Sequence, residues 1–216
     1  MVNEKRHMPF SVLVLAGGRS SRMGSNKDKG HMQFKGISLI EYVINNILSI
    51  KGVIRRNIII VGPKEKYSKH QFTVVEDLYP QKGPLGGIFS GLQYSKTVYN
   101  LVVGYDMPFI KPELVEYMFS QSKGYDLVIP AYGQELYEPL CAIYNKNCLN
   151  TMEQNLKNDV LAVRSIFPFC KTRWIREEEI RIFDPELHSF FNINFRDDFT
   201  KAEKFDYQRG KTIDST

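Results

Sequence analysis

The chain contains short runs in which nearly every residue is apolar, rather than every second one. They are Val12–Leu15, Asn57–Val61, Phe72–Glu76, Leu101–Gly104 and Asp126–Pro130. A strand with one wet face alternates; a run that does not is a strand buried on both faces, as in a parallel sheet covered by helices. Between these runs the apolar period changes. Ile40, Val43, Ile44, Ile47 and Leu48 fall at helical spacing, as do Leu85, Ile88, Phe89 and Leu92 after Gly83-Pro84. Pro112 suits the first turn of a helix carrying Leu114, Val115 and Met118. Strands therefore alternate with helices over residues 11–130, which predicts βαβ units and a mostly parallel sheet. Beyond that the pattern is less regular. Pro139–Tyr144 reads as one more strand, Asn147–Leu156, Val160–Ile166 and Arg196–Phe205 as helical, and Arg173–Ile175 and Phe190–Ile193 as short apolar runs. The economical expectation is one α/β domain over residues 1–216, with an insertion or flap in its second half.

Composition narrows the function classes. With 216 residues, 43% hydrophobic and 25% charged, the chain can bury a core of its own, and disorder, collagen and coiled coil are disfavoured. The net charge is +5, and residues 1–35 carry all of it: Lys5, Arg6, Arg19, Arg22, Lys27, Lys29 and Lys35 against Glu4 and Asp28. A local basic block suits an anionic ligand, or else a solvated arm. Nucleic acid usually leaves a broader basic footprint with interleaved aromatics, so no nucleic-acid partner is expected. Cys141, Cys148 and Cys170 form no C-x-x-C pair, and no N-x-S/T sequon occurs. These point to a reducing, cytoplasmic location without structural zinc. Apolar stretches are far too short for a membrane span, so no membrane partner is expected, and Phe10–Ala16 reads as a strand and not as a targeting segment.

Four polar features stand at expected strand ends, where open α/β sheets bind ligands. The first is Leu15-Ala16-Gly17-Gly18-Arg19-Ser20-Ser21-Arg22-Met23-Gly24, followed by Lys27 and Lys29. It matches neither G-x-x-x-x-G-K-[ST] nor G-x-G-x-x-G. Its chemistry is still that of a phosphate loop: paired glycines admit an anion close to backbone N–H groups, Arg22 offers a fork and a lysine a point charge. The second is Glu76-Asp77 with Gly83-Pro84-Leu85-Gly86-Gly87 after it. Asp77 there serves equally as an acceptor for a ribose hydroxyl or a base and as a turn former. The third is Tyr105-Asp106-Met107-Pro108, whose aspartate is either a magnesium ligand or a cap. The fourth is Asn192-Ile193-Asn194 with Asp197-Asp198, either completing a hard-cation shell or capping the last helix.

The order of these elements resembles that of the molybdenum cofactor guanylyltransferases, the MobA family of the nucleotidyltransferase superfamily. The resemblance runs over about residues 10–205: Leu-Ala-Gly-Gly-x3-Arg-Met-Gly, a lysine, Glu-Asp, Gly-Pro-Leu-Gly-Gly, Asp-Met-Pro, Pro-Leu-x-Ala-x-Tyr and Asn-x-Asn. It implies a Rossmann-like three-layer α/β/α sandwich of the nucleotide-diphospho-sugar transferase type. It implies a nucleotide-binding half of about residues 10–130 and an acceptor-binding half of about 131–205. The implied reaction is transfer of GMP from GTP to molybdopterin, or Mo-molybdopterin, with pyrophosphate released and Mg²⁺ required. By the same resemblance Leu15, Ala16 and Gly17 hold guanine and ribose through backbone groups, and Gly18 and Arg22 cradle the triphosphate. Lys29 contacts the phosphates, Asp77 the nucleoside, Asp106 the metal, and Asn194 the metal or a phosphate. Arg22, Lys29 and Asp106 would be the catalytic set. Lys27 competes with Lys29, because both lysines follow Met23-Gly24 within five residues. Proteins of cofactor biosynthesis, or cofactor acceptors, are the partners it suggests. Two other readings remain: a relative using CTP or a sugar phosphate, and a nucleotide-binding regulator without turnover.

Overall fold

The computed structural model describes residues 10–17, 33–69, 71–134 and 136–213. The phosphate-loop residues Gly18, Arg22, Lys27 and Lys29 lie outside the described residues.

The five doubly apolar runs are strands: β1 (Ser11–Leu15), β4 (Ile58–Val61), β5 (Thr73–Val75), β6 (Tyr99–Gly104) and β7 (Leu127–Tyr132). Between β1 and β4 lie a small hairpin, β2 (Gln33–Phe34) and β3 (Ile37–Ser38), and then helix α1 (Leu39–Ile47). Further along come α2 (Lys64–Tyr67), α3 (Gly83–Tyr94) and α4 (Pro112–Ser120). The second half supplies β8 (Leu136–Tyr137), β9 (Cys141–Asn145), α5 (Leu149–Lys157), β10 (Thr172–Arg176), α6 (Glu177–Arg181) and α7 (Arg196–Ile213). The main sheet runs β10-β7-β9-β6-β1-β4-β5, with β8 attached to β7. β1, β4, β5 and β6 are parallel, β10 is parallel to β7, and β9 enters antiparallel between β6 and β7.

Each strand divides its side chains between two cores. Val12, Val14, Ile58, Ile60, Leu101, Val103 and Ile143 face α1, α4 and α6. Leu13, Leu15, Ile59, Val61, Val102, Ala142 and Tyr144 face α3 and α5. Full burial of such side chains contributes about 1.5–3 kcal/mol each, so the unbroken apolar runs drive the three-layer arrangement. A third, smaller cluster of Phe34, Leu39, Phe109, Ile193 and Ala202 seats the last helix against the hairpin and the segment after β6.

Expectation and structure differ at Val160–Ile166. That stretch is not an α-helix; a 3-10 segment runs instead from Val163 to Phe169, with Pro168 inside it. Proline has no amide to donate, so an α-helix could not have continued through it.

Candidate functional site

The sheet reverses its order at β1: the chain leaves it for β4 and β5 on one side, and β6 returns on the other. Crevices at such a reversal, beyond the carboxyl ends of the strands, are where open α/β sheets bind ligands. A cavity of about 490 Å³ opens there, lined by Leu15, Gly17, Val61, Asp77, Pro84 and Gly87 among others.

Local hydrogen bonds set the shape of the β1 end. Tyr105 N donates to the Leu15 carbonyl at 3.2 Å, and Ala16 N to the Val61 carbonyl at 2.8 Å. The Tyr67 hydroxyl, buried beneath, donates to the Ala16 carbonyl at 3.3 Å. Leu15 and Gly17 thus reach the cavity, while Ala16 is buried and its backbone groups are held by the fold. Gly62 runs close underneath. A Cβ on it would lie 3.1 Å from both the carbonyl carbon and the oxygen of Ala16, and 3.3 Å from Gly17 N.

Asp77 enters from the end of β5. Its Oδ1 is buried without a hydrogen-bond partner among the described residues. Burial pushes its carboxyl above the ordinary aspartate range. The carboxylate sits between two bare glycines: Cβ atoms on Gly17 and Gly87 would each lie 3.5 Å from one of its oxygens. An orphaned buried acceptor costs about 1–3 kcal/mol, and a ligand donor in the cavity would relieve that cost. α3 begins at the same wall, with Gly83, Pro84 and Gly87 lining the cavity. Its N-terminal end is electropositive and turned toward anions. Lys82, just before α3, pairs with Asp159 and fixes that entry.

The second carboxylate, Asp106, follows β6. A Cβ on Gly104 would come within 2.7 Å of Asp106 Oδ1, so the bare backbone of Gly104 makes room for it. Ile193 N donates to the Asp106 carbonyl at 2.8 Å. That bond brings the Asn192–Asn194 segment to the end of β6. Asp198 then accepts from both Asn194 N and Phe195 N at 2.8 Å, so the capping reading of this region holds for Asp198. The structure therefore assembles Leu15, Gly17 and Asp77 around one cavity, and places Asp106 beside the backbone segment of Asn194.

One acidic residue of this region went unread in the sequence. Glu138 lies on the turn between β8 and β9, and its Oε1 accepts from Leu140 N at 3.0 Å. The Leu140 carbonyl in turn accepts from Gly104 N at 2.9 Å, which joins this turn to the end of β6. Burial raises the Glu138 carboxyl, and the negative charge of Asp106 raises it further.

A strand-end crevice bounded by a helix N-terminus and by carboxylates is the layout of an α/β nucleotide-binding protein. Comparison with known proteins makes this specific. The model of the MobA-like NTP transferase domain matches residues 12–171, and the chain belongs to that family. The probable molybdenum cofactor guanylyltransferase of Pelotomaculum thermopropionicum is 37% identical over 190 residues, covering 88% of this chain and 90% of its own. Among solved structures, molybdopterin-guanine dinucleotide biosynthesis protein A from Archaeoglobus fulgidus superposes with a TM-score of 0.76 at 28% identity, over 92% of this chain and 99% of that one. The 4-diphosphocytidyl-2C-methyl-D-erythritol synthase of Anaerococcus prevotii shares the fold, with a TM-score of 0.67 at 16% identity over 91% and 95% of the two chains. Among the described residues no helix is long and apolar enough to cross a membrane.

Proposed function

We propose that this chain transfers GMP from GTP to the terminal phosphate of molybdopterin, or Mo-molybdopterin, and releases pyrophosphate. The observation that carries the reading is the Asp77 oxygen at the strand-end cavity, buried without a partner among the described residues. Its family membership and its guanylyltransferase-named relative support the choice of GTP. In this reading Leu15 and Gly17 shape the nucleoside wall, and Asp77 accepts from a nucleoside N–H or O–H group. The N-terminal end of α3 favours the ligand's negative charge. A phosphate oxygen of the acceptor attacks the α-phosphorus of GTP in line. The new P–O bond forms as the bond to the β-phosphate bridging oxygen breaks, and the electron pair leaves with pyrophosphate. The attacking phosphate is already ionised at neutral pH, so no strong base or covalent protein intermediate is needed.

The donor set suits Mg²⁺, which takes one or two carboxylates and otherwise substrate phosphates. Asp106, with the room that Gly104 leaves it, and Asn194 on the adjoining segment are the residues that would hold it. When bound, Mg²⁺ supplies charge neutralisation at the phosphates. Arg22 and Lys29 would complete that neutralisation, and Gly18 would supply a backbone N–H. The acceptor falls to the half of the chain beyond about residue 130, which carries Glu138, whose carboxyl feels the charge of Asp106, and Asn194 on the segment bonded to the Asp106 main chain.

Pyrophosphate release with each nucleoside triphosphate and a molybdopterin acceptor tests the proposal. Release with GTP is expected; release with CTP and none with GTP would overturn it. Two substitutions refine the picture. Lys29→Ala should raise the Kd for GTP about tenfold, the loss of one charge-assisted phosphate contact. Lys27→Ala should leave it within about twofold; the reverse outcome in calorimetry would transfer the role to Lys27. Gly62→Ala must push the Ala16–Gly17 backbone away by a few tenths of an ångström, and should also weaken GTP about tenfold. Its Tm should fall by only a few degrees, because the required shift is a few tenths of an ångström of backbone and displaces no large core side chain. An unchanged Kd would show that this rim does not hold the nucleotide.

A further inference from the structure

Two thiols lie apart from the nucleotide cavity, at the opposite end of the sheet. Cys148 directly precedes α5, and Cys170 directly follows the 3-10 segment Val163–Phe169. Their sulfurs are 3.7 Å apart in a thiol–thiol hydrogen bond, although 22 positions separate them in the chain. This closeness is imposed from outside the pair. Asp126, at the start of β7, accepts from Asn147 Nδ2 on one carboxylate oxygen and from Lys171 N on the other, both at 3.0 Å. Asn147 adjoins Cys148, and Lys171 adjoins Cys170. One carboxylate thus clamps the chain neighbours of both cysteines. The Asp126 carbonyl also accepts from the Cys148 thiol at 3.4 Å.

We propose that Cys148 and Cys170 are an oxidation site that closes to an intramolecular disulfide when the protein meets a peroxide. The two sulfurs have unequal roles. Cys170 is partly exposed, while Cys148 and the remaining thiol, Cys141, are buried. The hydrogen bond between the sulfurs pulls the Cys170 thiol below the ordinary thiol range and pushes the Cys148 thiol up, and burial pushes Cys148 further. Cys170 is therefore the thiolate that reacts first. Its sulfur attacks a peroxide oxygen, the O–O bond breaks and, once the departing hydroxide is protonated, water leaves; Cys170 becomes a sulfenic acid. The Cys148 sulfur then attacks that of Cys170, the S–O bond breaks, and its thiol proton leaves with the hydroxyl as a second water. Two thiols are oxidised to one disulfide, and one peroxide is reduced to two waters. The sulfurs must approach by roughly 1.7 Å to reach disulfide length. The result staples the start of α5 to the entry of β10.

The test uses the reduced full-length chain and stoichiometric hydrogen peroxide. Intact mass should fall by two hydrogens, the loss should reverse with dithiothreitol, and peptide mapping should join Cys148 to Cys170. Cys148→Ser should stop at a sulfenic acid on Cys170 that dimedone traps, Cys170→Ser should lose no mass, and Cys141→Ser should behave as wild type. The oxidised protein should melt several degrees higher, with GTP affinity unchanged because the cavity lies at the far end of the sheet. An intermolecular disulfide, a bridge to Cys141, or a wild-type protein that only gains oxygen would each overturn the assignment, and the wild-type mass together with its peptide map decides it if a variant fails to fold.

Discussion

Asp106→Ala is expected to reduce pyrophosphate release from GTP by about 10³-fold, roughly 4 kcal/mol of lost transition-state stabilisation. The cause is local. Asp106 is the carboxylate at the end of the central strand β6, next to the backbone segment that carries Asn194. In the proposed reaction its removal would leave phosphate charge unneutralised while the three layers stay intact, because the Ile193 bond goes to the Asp106 main chain and not to its side chain. The Tm should accordingly stay within about 3 °C of wild type. Stopped assays at saturating GTP and a thermal melt check the two halves together. Residual activity above a tenth of wild type would move the metal role elsewhere, with Glu138 the first residue to examine.

Asp77→Asn should do two opposite things: weaken GTP by about 10- to 100-fold and make the free protein more stable. The first effect follows from losing a charged acceptor that ligand donors would satisfy, about 1.5–3 kcal/mol. The second follows from removing a half-buried charge whose Oδ1 lacks a partner among the described residues. The folded-state carboxyl titrates above its ordinary range, so ionisation costs the native state more than the unfolded one. The asparagine variant's advantage is therefore complete above the raised folded value. It shrinks as pH falls through that value, and is gone below about pH 4, where the unfolded aspartate is protonated too. At neutral pH a rise of about 2 °C in Tm is expected, and melts at pH 7 and pH 3.5 test the sign. A variant that binds GTP normally would remove Asp77 from the nucleoside site.

The two predictions rest on residues that the sequence already marked, and the reason is physical. Strands buried on both faces need uninterrupted apolar runs, so β1, β4, β6 and β7 are visible as composition alone. Their ends are then fixed to within a residue or so, and Asp106 falls into view just beyond β6; the shorter, half-buried run of β5 places Asp77 in the same way. The hairpin Gln33–Ser38 was not legible because two-residue strands have no period. β10 was seen only as a short apolar run, because its place at the sheet edge depends on pairing with β7, a contact across the chain. Glu138 escaped for a related reason. An acidic residue in a turn looks solvated, and its burial arises only when β8 folds back on β7 and Leu140 bonds to Gly104. Asn192 and Asp198 show the opposite case: a local capping pattern recognisable in outline, whose actual acceptor, Asp198, only the geometry selects.

The hydrogen bond from Ile193 to the Asp106 carbonyl, and the aromatic packing that seats the last helix against Phe34 and Phe109, also bear on how the protein is made. A ribosome has released β1, β4, β5 and β6 long before it reaches residue 193. The nascent chain can therefore shape a nucleotide cavity while the segment that steadies Asp106 is still inside the exit tunnel. If GTP binds at this cavity as proposed, binding competence should precede catalytic competence during synthesis, and an unfinished copy would hold a nucleotide without spending it.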